Sequence, residues 1–169
     1  NSNIIFETPN STGLHHQIIK TENNTYMLID AEVEQHPCPN DCPDDLPEII
    51  DWQGDRFLEI DINGNIIWEW NSFNFLSLNE YNPYWLDYYS NHFDWTHSNS
   101  IFLDSESEIL YVSMRNLSRI VAIDYNSHEI LWHIGNPEFM DEEFFETNYG
   151  FSHQHSAQIT NSGNLLFFD

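Results

Sequence analysis

The sequence predicts an all-β fold, a β-propeller built from four-stranded antiparallel blades. Two repeats carry this reading. His16 opens HQIIKTENNTYMLID and His155 opens HSAQITNSGNLLFFD, and each reaches an aspartate, Asp30 or Asp169, at the same interval. His97 opens a third copy, HSNSIFLDSESEILYVS, with a longer turn. Each copy is a polar residue, a short apolar strand, a turn of Asn, Glu, Ser or Gly, and a second apolar strand. A different hairpin is also duplicated: DRFLEIDINGNIIWEW (55–70) matches SRIVAIDYNSHEILWHIG (118–135). Two hairpins in series make one four-stranded unit, and recurrence of such units at roughly 40 to 50 residues marks a propeller.

Taken in order, 13–30 and 55–70 supply the two hairpins of the first blade. The segment 31–54 between them reads as an insertion, and HPCPNDCPDDLP within it holds Cys38 and Cys42. A short-loop disulfide is the preferred reading of this pair. The alternative is free or metal-binding thiols assisted by His36, although a second ligand pair for structural zinc is lacking. A second insertion, 71–95, carries Tyr81, Tyr84, Trp85, Tyr88, Tyr89 and Phe93, a cluster that suits either a cap or an aromatic wall for a phenol. The hairpins 97–114 and 118–135 form the second blade. An acidic insertion over 136–152 precedes the hairpin that starts at His155. Trp68, Trp70 and Trp132 read as packing residues between blades.

About three blades fit in the chain, whereas propellers close with four to eight. The chain opens at Asn1 without a methionine and stops at Asp169 inside a repeat, so a fragment of a longer propeller is expected over 1–169. Its unpaired strand edges would favour self-association as a homodimer. No apolar run is long enough for a transmembrane segment.

Charge excludes one class of partner. The net charge is −24, with 28 acidic residues against Lys20, Arg56, Arg115 and Arg119. Nucleic-acid binding needs clustered Lys and Arg, so it is not expected. Equivalent positions of a radial repeat face one axis, so His16, His97 and His155 should converge, with Arg115 close by. His15 and His153 should face away, because side chains alternate along a strand. His36, His92, His128 and His133 fall near turns and are expected to be solvated. Three convergent histidines also admit a metal-dependent hydrolase, but a guanidinium beside a metal dication is electrostatically poor. A non-catalytic propeller that binds ligands or partners is the other alternative.

The strings LHHQI, DWTHSNS, SMRNLSRIVAID, HEILWHIG and GFSHQHSA, in this order from about Gly13 to Asp169, resemble the arylsulfate sulfotransferases that work without a nucleotide sulfate donor. The resemblance implies a six-bladed propeller, no cofactor, and an aryl sulfate donor and phenolic acceptor as small-molecule partners. It implies transfer of a sulfuryl group through a sulfated histidine, with His155 as nucleophile. His16, His97, Asn99 and Arg115 correspond to the groups that bind the sulfuryl oxygens, and His16, His97 and Arg115 join His155 in the catalytic set. Together with the cysteine pair, the resemblance implies a periplasmic or secreted protein. Two departures stand out: Gln17 and Ser156 occupy positions where the family commonly has Asp. Tautomer control of the histidines must then come from elsewhere in this chain.

Overall fold

Among the described residues, alternating and continuous apolar runs fold into eleven strands joined mostly by tight polar turns. The computed structural model describes residues 13–40, 42–135 and 151–169. The first sheet runs β1 (Leu14–Lys20), β2 (Tyr26–Pro37), β3 (Ile49–Ile60) and β4 (Ile66–Asn71), antiparallel and in sequence order. The second runs β6 (Ser98–Asp104), β7 (Ile109–Met114), β8 (Arg119–Asp124) and β9 (Ile130–Gly135) in the same manner. The third is the hairpin β10 (His155–Ile159) and β11 (Leu165–Phe168). The first strands lie together, with β6 next to both β1 and β10. That succession suits a propeller segment, and the described residues close no ring. The predicted insertion at 136–152 falls almost wholly outside the described residues.

Turn chemistry explains why the hairpins close where they do. Asp61 accepts from the backbone of Asn63 and Asn65 at 2.8 and 2.9 Å, and Gly64 takes the left-handed φ of 82° that the turn requires. Asp124 accepts from Asn126 and Ser127 at 3.0 and 2.7 Å in the corresponding turn of the second sheet. These aspartates satisfy backbone donors that the ladder leaves unpaired.

The segment 31–54 is not a loop thrown out between strands. It prolongs β2 and β3 in unbroken register from Tyr26 opposite Ile60 to Pro37 opposite Ile49. At its tip Cys38 and Cys42 are paired by a disulfide, with their Cα atoms 5.8 Å apart. The 71–95 segment returns across the blade through a short helix (Ser72–Phe75) and a 3₁₀ turn (Pro83–Tyr88) before β5 (Phe93–Asp94) adds parallel to β3.

One core joins the first two sheets. Trp52, Phe57, Trp70, Phe93 and Trp95 of one side meet Ile101, Leu110, Val112 and Met114 of the other, all at most 2% exposed. Burial of each such side chain contributes roughly 1.5–3 kcal/mol. Trp68 and Trp70 act as the sequence suggests: they bridge the sheets, donating through Nε1 to the Tyr125 and His128 carbonyls at 2.7 and 3.0 Å. Trp132 packs instead on a smaller core of Ile120, Ile134, Phe151 and Ala157, which seats the third hairpin. Near the turn end Glu59, 3% exposed, accepts from Thr25 and from the Tyr125 hydroxyl across the sheet boundary. Burial and the Glu59 carboxylate hold the Tyr125 phenol well above its ordinary pKa.

The expectation of four solvated histidines is corrected. His36 lies within β2, half-buried against the rings of Phe73 and Trp52 and bonded to Glu34 at 2.9 Å. His128 packs on Trp68, and His133 belongs to β9. His92 is also half-buried. Extended pairing places His36 and His133 within strands, whereas His92 and His128 lie outside the strands and are half-buried there.

Gly135 tests the packing of the last strand of the second sheet. A Cβ there would lie 2.1 Å from the Ser118 carbonyl oxygen and 2.9 Å from Arg119 Cα, both backbone atoms. Gly135→Ala is expected to destabilise the fold by about 1–3 kcal/mol, read as a lower urea midpoint.

Candidate functional site

The first strand of each sheet is irregular where it begins. The register slips between His15 and Ile18 in β1, between Ser98 and Ser100 in β6, and between His155 and Gln158 in β10. Left-handed backbone accompanies the slips: φ is 58° at His16, 45° at His97, 59° at His153 and 56° at Ser156. Such conformations are unfavourable for side chains other than glycine, roughly 1–3 kcal/mol each, and persist where surrounding structure imposes them. A bulge re-aims side chains that a regular strand would send to opposite faces.

The consequence is a histidine cluster. His16 Nε2 lies 3.1 Å from His97 Nε2. The His15 ring centroid is 5.0 Å from that of His16 and 6.4 Å from that of His97. His15 therefore joins the cluster, contrary to the expectation that alternation turns it away. His153 is corrected likewise: it sits against Trp85 at 5.4 Å and feels the charges of Arg115 and His155. His155 begins β10, half-buried, and its charge also reaches His16.

Two carboxylates that sequence reading missed orient these rings. Asp94 Oδ2 accepts from His97 Nδ1 at 2.5 Å. In the neutral ring this fixes the proton on Nδ1 and leaves the Nε2 lone pair facing His16. Asp55 Oδ1 is 2.9 Å from His15 Nε2, and its Oδ2 accepts from the Thr96 hydroxyl and the Ser98 N–H, both at 2.6 Å. Asp94 follows Phe93 in the DWTHSN string, a signal that could have been read; Asp55, far away in β3, gave none.

The rings differ in their affinity for a proton. Burial works against a charge on His15, but the bonded Asp55 carboxylate, with Asp94 and Asp30 behind it, outweighs that and raises its pKa. Burial lowers the pKa of His16, as do the charges of His15, His97 and His155, only partly offset by Asp55. His153 is lowered by burial, Arg115 and His155, with Asp169 opposing. Burial would raise Asp55, but its donors, His15 first, hold it below the ordinary carboxylate range.

Arg115 sits on the turn between β7 and β8, its N–H bonded to the His97 carbonyl at 3.2 Å. The guanidinium stacks 4.8 Å above the Trp85 ring and donates to Asn116 Oδ1 at 2.9 Å. Arg56 and Arg119 are bound by carboxylates, Arg56 to Asp30 at 2.5 Å and Arg119 to Glu80 at 2.6 Å. Among the described residues Arg115 has no carboxylate partner. Asn99 is 7% exposed, and its amide donates to the Gln154 carbonyl at 2.8 Å, beside the Ser113 hydroxyl that donates to the same oxygen. The aromatic cluster divides: Phe93 is core, Trp85 supports Arg115, and Tyr84 and Tyr88 flank Trp85 with 50% and 61% exposure. Among the described residues no group of three or more His, Cys, Asp or Glu has metal-ligand geometry.

The family model described as Arylsulfotransferase (ASST) matches residues 3–169. No curated protein and no solved structure matches the chain.

The Asp55–His15 pair should leave a signature in stability against pH. His15 is raised on folding, so its contribution is complete below about pH 6.5, the free imidazole range, and fades as pH rises through the raised value. Asp55 is lowered, so its contribution is present above about pH 3.9 and fades as pH falls through the depressed value. Thermal unfolding should show a Tm plateau between these limits. Asp55→Asn is expected to flatten both limbs and to lower stability by about 3–5 kcal/mol.

Proposed function

We propose, because the chain belongs to the arylsulfotransferase (ASST) family, that it transfers a sulfuryl group from a phenolic sulfate ester to a phenolic acceptor at its histidine-lined end. The observation that carries this reading is the state of Arg115. In a chain of net charge −24, a guanidinium that donates once to Asn116 and has no carboxylate among the described residues keeps further N–H groups for the oxygens of an outside anion. Trp85 beneath it fixes the plane of the guanidinium without neutralising it.

His155 is assigned the attacking role. A neutral imidazole needs no proton removed before its ring nitrogen attacks sulfur. The N–S bond forms as the bond from sulfur to the aryl oxygen breaks, through a loose in-line arrangement with charge on three equatorial oxygens. The departing phenolate takes a proton from the His16–His97 pair. In the second half the acceptor phenol returns a proton to that pair as its oxygen attacks sulfur and the N–S bond breaks. The 3.1 Å contact between the two Nε2 atoms suits this exchange, since a hydrogen bond there has one ring donating and the other accepting. Asp94 keeps His97 in the tautomer that makes this bond work.

Asn99 enters this scheme through position. Its amide holds the carbonyl of Gln154, the residue before His155, and so bears on where the imidazole stands. Tyr84, Trp85 and Tyr88 offer an aromatic surface next to Arg115 on which a phenyl ring can rest. A periplasmic or secreted setting accords with the cysteine pair. No helix among the described residues is long and apolar enough to cross a membrane.

The decisive measurement is incubation with 4-nitrophenyl sulfate in the absence of acceptor, followed by peptide sequencing by mass spectrometry. A sulfated His155 is expected, and His155→Ala should abolish both the adduct and turnover. Arg115→Lys should lower transfer by roughly 10²-fold, because the charge stays while the paired donors are lost. An adduct on His16 or His97 would reassign the nucleophile. Bound ester with no adduct anywhere would favour a propeller that only binds.

A further inference from the structure

His15 plays no part in the scheme above, yet its ring is bonded to a carboxylate at 2.9 Å. Its partner Asp55 is fully buried. A carboxylate taken out of water stays ionised only with donors and a counter-charge. Asp55 has the Thr96 hydroxyl, the Ser98 N–H and the His15 ring, and of these only His15 can supply the counter-charge. The His15 side chain is 23% exposed against 1% for Asp55, so the negative end of the pair is inside and the positive end is toward solvent. Nε2 is taken by Asp55, and among the described residues nothing accepts from Nδ1.

We propose that His15, bonded through Nε2 to the buried carboxylate of Asp55, is a second cationic contact for the anionic ester, donating to it through Nδ1–H. The proposal rests on the reading of this end as a sulfate-ester site. The charged groups facing His15 come from every element around it. Asp55 of β3, Asp94 of β5 and Asp30 of β2 favour the charged ring, and Arg56 binds that same Asp30. His16 of β1 and His97 just before β6 are the rings beside it. Their own charged forms would oppose it, and His16 gives up its proton more readily than a free imidazole. Adjacent histidines thus divide the work: His15 carries charge, and His16 is free to exchange a proton.

The test uses inorganic sulfate and 4-nitrophenyl sulfate as probes, with affinities measured between pH 5.5 and 8.5 and histidine titrations followed by NMR. The wild type should bind sulfate, with the His15 ring titrating above the free imidazole range. His15→Gln should weaken sulfate binding roughly tenfold or more near neutral pH, the scale of one charge-assisted hydrogen bond. That deficit should shrink as pH rises through the titration of His15, which a merely structural role would not produce. Asp55→Asn should lower the His15 titration and weaken binding at pH 7.5 more than at pH 5.5. If Asp55→Asn does not fold, the His15→Gln variant alone decides. Sulfate binding lost in Arg115→Gln but unchanged in His15→Gln would overturn the His15 contact and leave the sulfotransfer reading intact. A wild type that binds neither probe would overturn both.

Discussion

The buried carboxylate of Asp55 is the point on which the site depends. It stands on β3, in the middle of the first blade, yet its bonds go elsewhere. One oxygen holds His15 on β1, and the other holds Thr96 and Ser98 where the chain enters the second blade. Three donors from two strands and a connecting segment converge on one side chain, so the two blades meet at a fixed angle at this end. At the opposite end Glu59 does related work with Thr25 and Tyr125. Between these polar clamps lies the tryptophan-rich core, which supplies most of the favourable free energy but little direction. The apolar contacts bring the sheets together, and the carboxylates decide their register.

Electrostatics gives this arrangement its chemical character. In so acidic a chain each cation has many possible partners, and Arg56 and Arg119 have taken them. Arg115 lies on a turn at the histidine end, over an indole, with no carboxylate partner among the described residues. The carboxylates that do occur nearby, Asp55 and Asp94, are each committed to an imidazole. Negative charge is thereby kept from the guanidinium and used to orient rings. The carboxylates raise the pKa of His15, whereas burial and the neighbouring imidazoles lower that of His16, so two adjacent rings become chemically different.

Backbone irregularity is what concentrates these groups. A regular strand would send His15 and His16 to opposite faces, and only one could reach His97. Slipped register and left-handed residues at the start of β1, β6 and β10 break the alternation at the same place in each hairpin. The unfavourable conformations are held by the sheets behind them, in keeping with strain stored at a site built on a rigid scaffold.

Much of this was legible in the sequence. The repeated hairpins, Asp61 and Asp124 at their turns, and the pairing of 13–30 with 55–70 all follow from local pattern, because period-2 apolar runs and Asn-Gly or Asn-Ser turns act over few residues. The meeting of His16 with His97, and the place of Arg115 on the turn bonded to His97, were legible from repeat register and from family resemblance. Tertiary structure alone decided the rest. The inclusion of His15 follows from the irregularity in β1, and the place of His153 from left-handed backbone ahead of β10, neither of which an alternation rule anticipates. The extension of β2 and β3 through 31–54 came from pairing across the hairpin, which overrode the proline-rich composition at its tip. Asp55 as the partner of His15 was invisible, since a contact across 40 residues leaves no local spacing. The sequence determined which residues could carry the chemistry; folding decided which carboxylate each imidazole met, because long-range burial, not neighbourhood along the chain, pairs a charge with its counter-charge.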